Sequence, residues 1–179
     1  MSTTVSNTRV GADGSVERTQ HSLSWTGYAG GMLWTGVGAL FILVVAYATT
    51  GWYSRSVAGV RTERGLWESC TCTGTPSSDY EKATQAFATM SMITLIAATV
   101  LAGCYLLIHF LPKKLLLFGA LGCFIASAVF LLITVSVYGA EANKANSGGN
   151  LSYSFAFAVI AMIISIGGAG LSFMQMRSI

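Results

Sequence analysis

Residues 28–50 read YAGGMLWTGVGALFILVVAYATT, with no Asp, Glu, Lys or Arg among them. A run this long and apolar crosses a bilayer, for which about 20 residues suffice. It sits within a longer uncharged stretch, 19–54, and three more follow at 83–112, 115–140 and 145–176. Together these stretches predict an all-α membrane protein, a four-transmembrane-helix bundle with spans at about 28–50, 83–111, 115–138 and 151–174. Composition agrees: 53% of the 179 residues are hydrophobic and 9% charged, with mean hydropathy +0.62. A soluble domain carries about 25% charged residues. A water-soluble globule is therefore excluded, and no length remains for a separate catalytic domain. The net charge of +3 is small and dispersed, which argues against nucleic acid and leaves membrane lipid as the first partner.

Outward from the spans, residues 1–24 are rich in Ser, Thr and Gly without an apolar period, the composition of a disordered tail. The transmembrane domain is expected over 25–176, with loops at 51–82 and 139–150 and a short tail at 177–179. Four crossings put both termini on one side. Lys and Arg divide evenly between the two sides, so they do not set the orientation. Cys70 and Cys72, in a polar loop, suit an oxidising exterior. On that ground both loops are expected outside and both termini in the cytoplasm.

Within the spans no charged residue appears, which counts against a proton relay, a voltage sensor or a conventional transporter core. Small residues recur every four positions: Gly27, Gly31, Thr35 and Ala39; Gly119, Cys123 and Ser127; Ala161, Ser165 and Ala169. Such rows let helix backbones approach closely where lipid supplies no hydrophobic drive, and packing within the bundle is the simplest use for them. Cys104 and Cys123 read as small packing residues, palmitoylation being the alternative. His21 and His109 have no acidic neighbour in sequence. With no nucleophile–base or paired-carboxylate arrangement, no enzyme is expected. No cofactor is implied, and no further ligand in the loop completes a metal site with Cys70 and Cys72. Asn150-Leu151-Ser152 matches a glycosylation acceptor but abuts the fourth span.

The first loop holds the chain's densest cluster of charge. Val57–Thr62 and Leu66–Thr73 are alternating, β-branched runs separated by charged residues and Gly, which predicts two short antiparallel strands. Trp52, Tyr53 and Trp67 are expected where this small sheet meets the membrane interface. Trp67, after the Gly65-Leu66 turn, is expected to be buried and to hold the sheet on the bundle.

Trp52, then Gly65-Leu66-Trp67, then Cys70 and Cys72, in the first loop of a four-span chain, resemble the W…GLW…C…C signature of the claudin superfamily. That superfamily also holds the peripheral myelin and epithelial membrane proteins, the calcium-channel gamma subunits and the AMPA-receptor auxiliary subunits. The resemblance covers essentially the whole chain in topology and extends into Tyr80–Met92 (YEKATQAFATMSM), similar to the family's entry into its second helix. It implies a left-handed four-helix bundle, a small extracellular β-sheet from the first loop, cytoplasmic termini, and a disulfide within that loop. The family spaces its two cysteines further apart, whereas only Thr71 separates Cys70 from Cys72. Residues i and i+2 of a strand lie roughly 6.6 Å apart, near the upper limit for a bridge. Either the backbone bends after Cys70, or at least one thiol stays free or bonds elsewhere.

The resemblance implies one of two roles. The first is a protein of cell–cell junctions, tight or septate, that associates laterally and across cells into a paracellular barrier. In that role the charged loop residues Arg55, Arg61, Glu63, Arg64 and Glu68 face a partner or pore. The second is an auxiliary, gamma-type subunit packed against an ion channel or receptor. An independent channel or transporter is disfavoured by the absence of intramembrane charge. Both roles place the chain in the plasma membrane as a multi-pass protein that associates with itself or another membrane protein.

Overall fold

The computed structural model describes residues 2–10, 16–24, 27–57, 60–67, 79–107, 113–145 and 149–177. Its elements run β1 (Ser2–Val10), β2 (Val16–Ser24), α1 (Tyr28–Ala48), β3 (Tyr53–Val57), β4 (Val60–Arg64), α2 (Asp79–Leu107), α3 (Lys113–Ala145), β5 (Gly149–Leu151) and α4 (Tyr153–Arg177). All four helices are long and apolar enough to cross a membrane. The fold is a four-helix membrane bundle, with a three-stranded sheet at the end where α1 stops and α2 begins.

Helix ends depart from the expected spans for local reasons. α2 starts earlier, at Asp79, and its first turn carries Asp79 and Glu81, which suit the positive end of the helix dipole. α3 continues beyond the apolar segment to Ala145 through Ala140, Glu141, Ala142 and Lys144, all good helix formers except that they are not apolar throughout. The second connection is thereby shortened to residues 146–152.

Buried positions recur in alternating steps of four and three: Met32, Gly36, Ala39, Leu43 and Ala46 in α1; Thr84, Ala88, Ser91, Leu95, Ala98 and Ala102 in α2; Ser154, Ala158, Ala161, Ser165, Gly168 and Ser172 in α4. This is the seven-residue period of helices packed with a left-handed twist. A strict four-residue step advances 400° and drifts off such a seam, so the rows read from the sequence only partly coincide with it. Ser165 is fully buried, whereas Gly31, Thr35 and Ala169 are half-buried beside the seam. Gly27 precedes α1 as its N-cap residue. Among the helix glycines the closest approaches fall at Gly36 and Gly168, on either side of the fully buried Phe124 of α3: a methyl added at Gly168 would lie 2.8 Å from Phe124 Cε1, and one at Gly36 2.7 Å from Thr99 Oγ1. Gly31 packs on Leu171 and Gly119 on Leu101, each with less crowding.

Hydroxyls buried at membrane depth satisfy themselves within the bundle. Ser165 donates to the Ala161 carbonyl at 2.8 Å, Ser172 to Gly168 at 2.9 Å and Thr134 to Phe130 at 2.8 Å. Ser91 and Ser127 join α2 to α3 through their hydroxyls at 3.2 Å. Large apolar side chains such as Trp34, Phe41, Ile93, Leu132 and Ile163 face outward, as a lipid-facing surface requires.

The described residues before α1 form two strands. β1 and β2 pair antiparallel from Ser2↔Ser24 to Val10↔Val16. The β-branched Thr3, Thr4, Val5, Thr8, Val10, Val16 and Thr19 favour extended backbone despite the polar composition.

Candidate functional site

The site is built where α1 ends. The Thr49 N–H and hydroxyl both donate to the Val45 carbonyl, at 3.1 and 2.7 Å, and close the helix. The next orphan carbonyl, Ala46, accepts from Trp52 Nε1 at 2.8 Å. This bond folds the chain back so that the Trp52 indole, 1% exposed, lies over the end of the bundle. It meets Tyr138 of α3 edge-on at 5.0 Å between ring centres and Phe155 of α4 at 6.5 Å, while Tyr80 of α2 meets Tyr138 edge-on at 6.3 Å. Ala46, Tyr53, Leu66, Ala88 and Ala158 complete this cluster. All four helices and both loops thus meet at Trp52.

The backbone after Trp52 becomes β3, the centre of a sheet ordered β4-β3-β5. β3 pairs with β4 from Tyr53↔Arg64 to Val57↔Val60, and with β5 from Tyr53↔Leu151 to Arg55↔Gly149. Below the ladder Ser152 N–H donates to the Trp52 carbonyl at 3.1 Å, Ser154 N–H to Gly51 at 2.9 Å, and the Thr49 and Ser154 hydroxyls share a bond at 2.6 Å. Gly51 lies against the Tyr153 ring so closely that any Cβ would overlap it. The second loop is in this way stitched to the first along its whole described length.

Two expectations are corrected here. Among the described residues the first-loop strands are Tyr53–Val57 and Val60–Arg64, which divide the expected Val57–Thr62 strand between them, and the sheet takes a third strand from the second loop; of the expected Leu66–Thr73 strand, all but Leu66 and Trp67 lies outside the described residues. Pairing with β5 and the burial of Tyr53 set the register, and neither is visible in local alternation. The residue buried to hold the sheet is Trp52, not Trp67, which is 52% exposed. In Gly65-Leu66-Trp67 it is Leu66 that inserts, 3% exposed, with its carbonyl bonded to Gln85 Nε2 of α2 at 2.7 Å. Trp67 flanks the outside, its ring 5.1 Å from that of Tyr47, whose hydroxyl meets Thr89 Oγ1 at 3.0 Å.

Of the charged loop residues, Arg55 lies on β3 opposite Thr62, while Arg61, Glu63 and Arg64 lie on β4 opposite Ser56, Ser54 and Tyr53. Glu68, Cys70 and Cys72 lie outside the described residues. Cys104 and Cys123 are free, half-buried thiols on α2 and α3. Among the described residues no three His, Cys, Asp or Glu side chains converge as metal ligands would. Sequence reading missed Tyr138, Phe155, Gln85 and Thr49. Tyr138 carried a signal, since it stands where an uncharged run ends.

No curated protein matches the chain. The pattern that defines the PMP-22/EMP/MP20/Claudin family matches residues 29–172, from the start of α1 to the last turns of α4 and across both loops. With the four-helix bundle and the tryptophan-anchored sheet, this match shows that the chain belongs to the PMP-22/EMP/MP20/Claudin family.

Proposed function

We propose that this claudin-like protein acts in cell–cell junctions, forming or tightening a paracellular barrier through lateral and trans association at the plasma membrane. The observation that carries the reading is the joining of both loops into one sheet seated on Trp52, a preformed polar surface displayed at one end of the bundle. A preformed surface loses little entropy on association. In this reading the sheet faces the exterior and both termini lie in the cytoplasm. Arg55, Arg61, Arg64 and Lys82 are balanced in the first loop by Glu63, Glu68, Asp79 and Glu81, so the surface suits a barrier better than a strongly charge-selective pore.

One observation favours the second reading, an auxiliary subunit of a channel or receptor. α3 runs to Ala145 and α4 begins at Tyr153, with Gly149–Leu151 already committed to the sheet, so little of the second loop is left to reach another cell. Expression in cells that lack junctional strands separates the two. Strands and raised transcellular-layer resistance support the barrier; a channel or receptor co-purifying in fixed stoichiometry, with no strands, supports the auxiliary role. Epitope tags at Met1 and Ile179 that bind antibody in intact cells would reverse the orientation.

A further inference from the structure

The chain's acids are unevenly placed. Of its seven Asp and Glu residues, none falls between Glu81 and Glu141 or after Glu141, so α2, α3 and α4 bring no acid to the end of the bundle where α2 stops, α3 starts and α4 stops; Asp13 and Glu17 precede α1, which starts at that same end. The cations that α3 and α4 place there are Lys113 and Lys114, exposed at the start of α3, and Arg177, exposed in the last turn of α4. The opposite end mixes Arg55, Arg61, Arg64, Lys82 and Lys144 with Glu63, Asp79, Glu81 and Glu141.

Depth is fixed as well as sign. The apolar span of α3 begins at Lys113 and that of α4 ends at Arg177, so the three cations stand at the rim of the apolar band. Leu115 and Phe118 are exposed directly beyond the lysines, on the surface that meets lipid. Arg177 is folded back over Phe173, its guanidinium carbon 5.6 Å from the ring centre, and Phe173 itself is about half exposed. This posture rests the stem on the lipid-facing surface and holds the charge at headgroup level.

We propose that Lys113, Lys114 and Arg177 form a basic rim that selects anionic phospholipid headgroups from the surrounding leaflet. The chemistry is that of cations facing lipid phosphate and carboxylate, with no acid near them in the helices that carry them.

Spin-labelled phosphatidylserine and phosphatidylcholine, compared by electron paramagnetic resonance around the full chain in phosphatidylcholine bilayers, test this. At low ionic strength the anionic label is favoured by at least about fivefold, the ratio that one basic residue beside an anionic surface supplies. Salt lowers the preference toward unity in the unaltered protein, as screening requires. Lys113→Gln/Lys114→Gln/Arg177→Gln abolishes it, Lys113→Arg/Lys114→Arg keeps it, and Arg55→Gln/Arg61→Gln/Arg64→Gln, which alters only the opposite end, leaves most of it. Equal association of the two labels with the unaltered protein overturns the proposal, as does a preference carried by the opposite-end arginines.

Discussion

Trp52 Nε1 donates to the carbonyl oxygen of Ala46 at 2.8 Å, across the turn that ends α1. A single hydrogen bond therefore satisfies a helix-end acceptor and orients the ring on which the sheet is seated. Two faults follow from removing it, a void among Tyr138, Phe155 and Leu66 and an orphaned carbonyl, and they act together.

Trp52→Ala should accordingly cost about 3–5 kcal/mol, the range for deleting a buried aromatic. Trp67→Ala removes a half-exposed ring in contact with Tyr47 and should cost no more than about 1 kcal/mol. Unfolding in detergent and delivery to the cell surface measure the difference. Equal losses for the two variants would show that the sheet is not seated on Trp52 alone.

The spans were legible because charge is excluded from a bilayer, and seventeen charged residues mark the boundaries in a chain of 179. What was not legible depends on partners distant in sequence. The strand boundaries follow from the pairing of Tyr53 with Leu151, nearly a hundred positions away. The choice of Trp52 over Trp67 follows from where α1 ends, which local composition does not decide between two tryptophans in one loop. Gly36 and Gly168 escaped a search for four-residue spacing because the packed seam has a seven-residue period.

Adjacent glycines in α4 provide an internal control on packing. A methyl at Gly168 meets Phe124 at 2.8 Å, whereas one at Gly167 meets no heavy atom within 4 Å. Gly168→Ala should destabilise by about 1–3 kcal/mol through overpacking, and Gly167→Ala should be neutral or slightly stabilising. Phe124→Leu should recover part of the Gly168→Ala loss. Thermal unfolding of the four variants checks all three statements, and an additive Gly168–Phe124 pair would sink the assigned contact.

Gln85 ties α2 to the first loop through the Leu66 carbonyl at 2.7 Å. Gln85→Ala should cost about 1 kcal/mol in stability but loosen the Gly65–Trp67 segment disproportionately. Hydrogen exchange, compared between this segment and the core of α3, reads the effect. Uniform acceleration across both would mean that the bond supports the bundle as a whole.

Cys70 and Cys72, which lie outside the described residues, stand where the family resemblance implies a disulfide, with only Thr71 between them. A bridge closed over Thr71 alone restricts the unfolded chain very little, because the entropic gain grows with the length enclosed. Sheet seating is expected to fall instead to Trp52 and Leu66, both buried in the cluster at the end of the bundle. Cys70→Ser/Cys72→Ser should reach the cell surface at a substantial fraction of the native level, in contrast to Trp52→Ala. Mass spectrometry of unreduced protein identifies the link itself: a peptide with Cys70 joined to Cys72 shows a local bridge, a mixed disulfide shows covalent partnering, and alkylation of both thiols without reductant rejects any bridge. If the double variant is retained inside the cell as completely as Trp52→Ala, the cysteines hold the sheet in place and the seating on Trp52 is not sufficient.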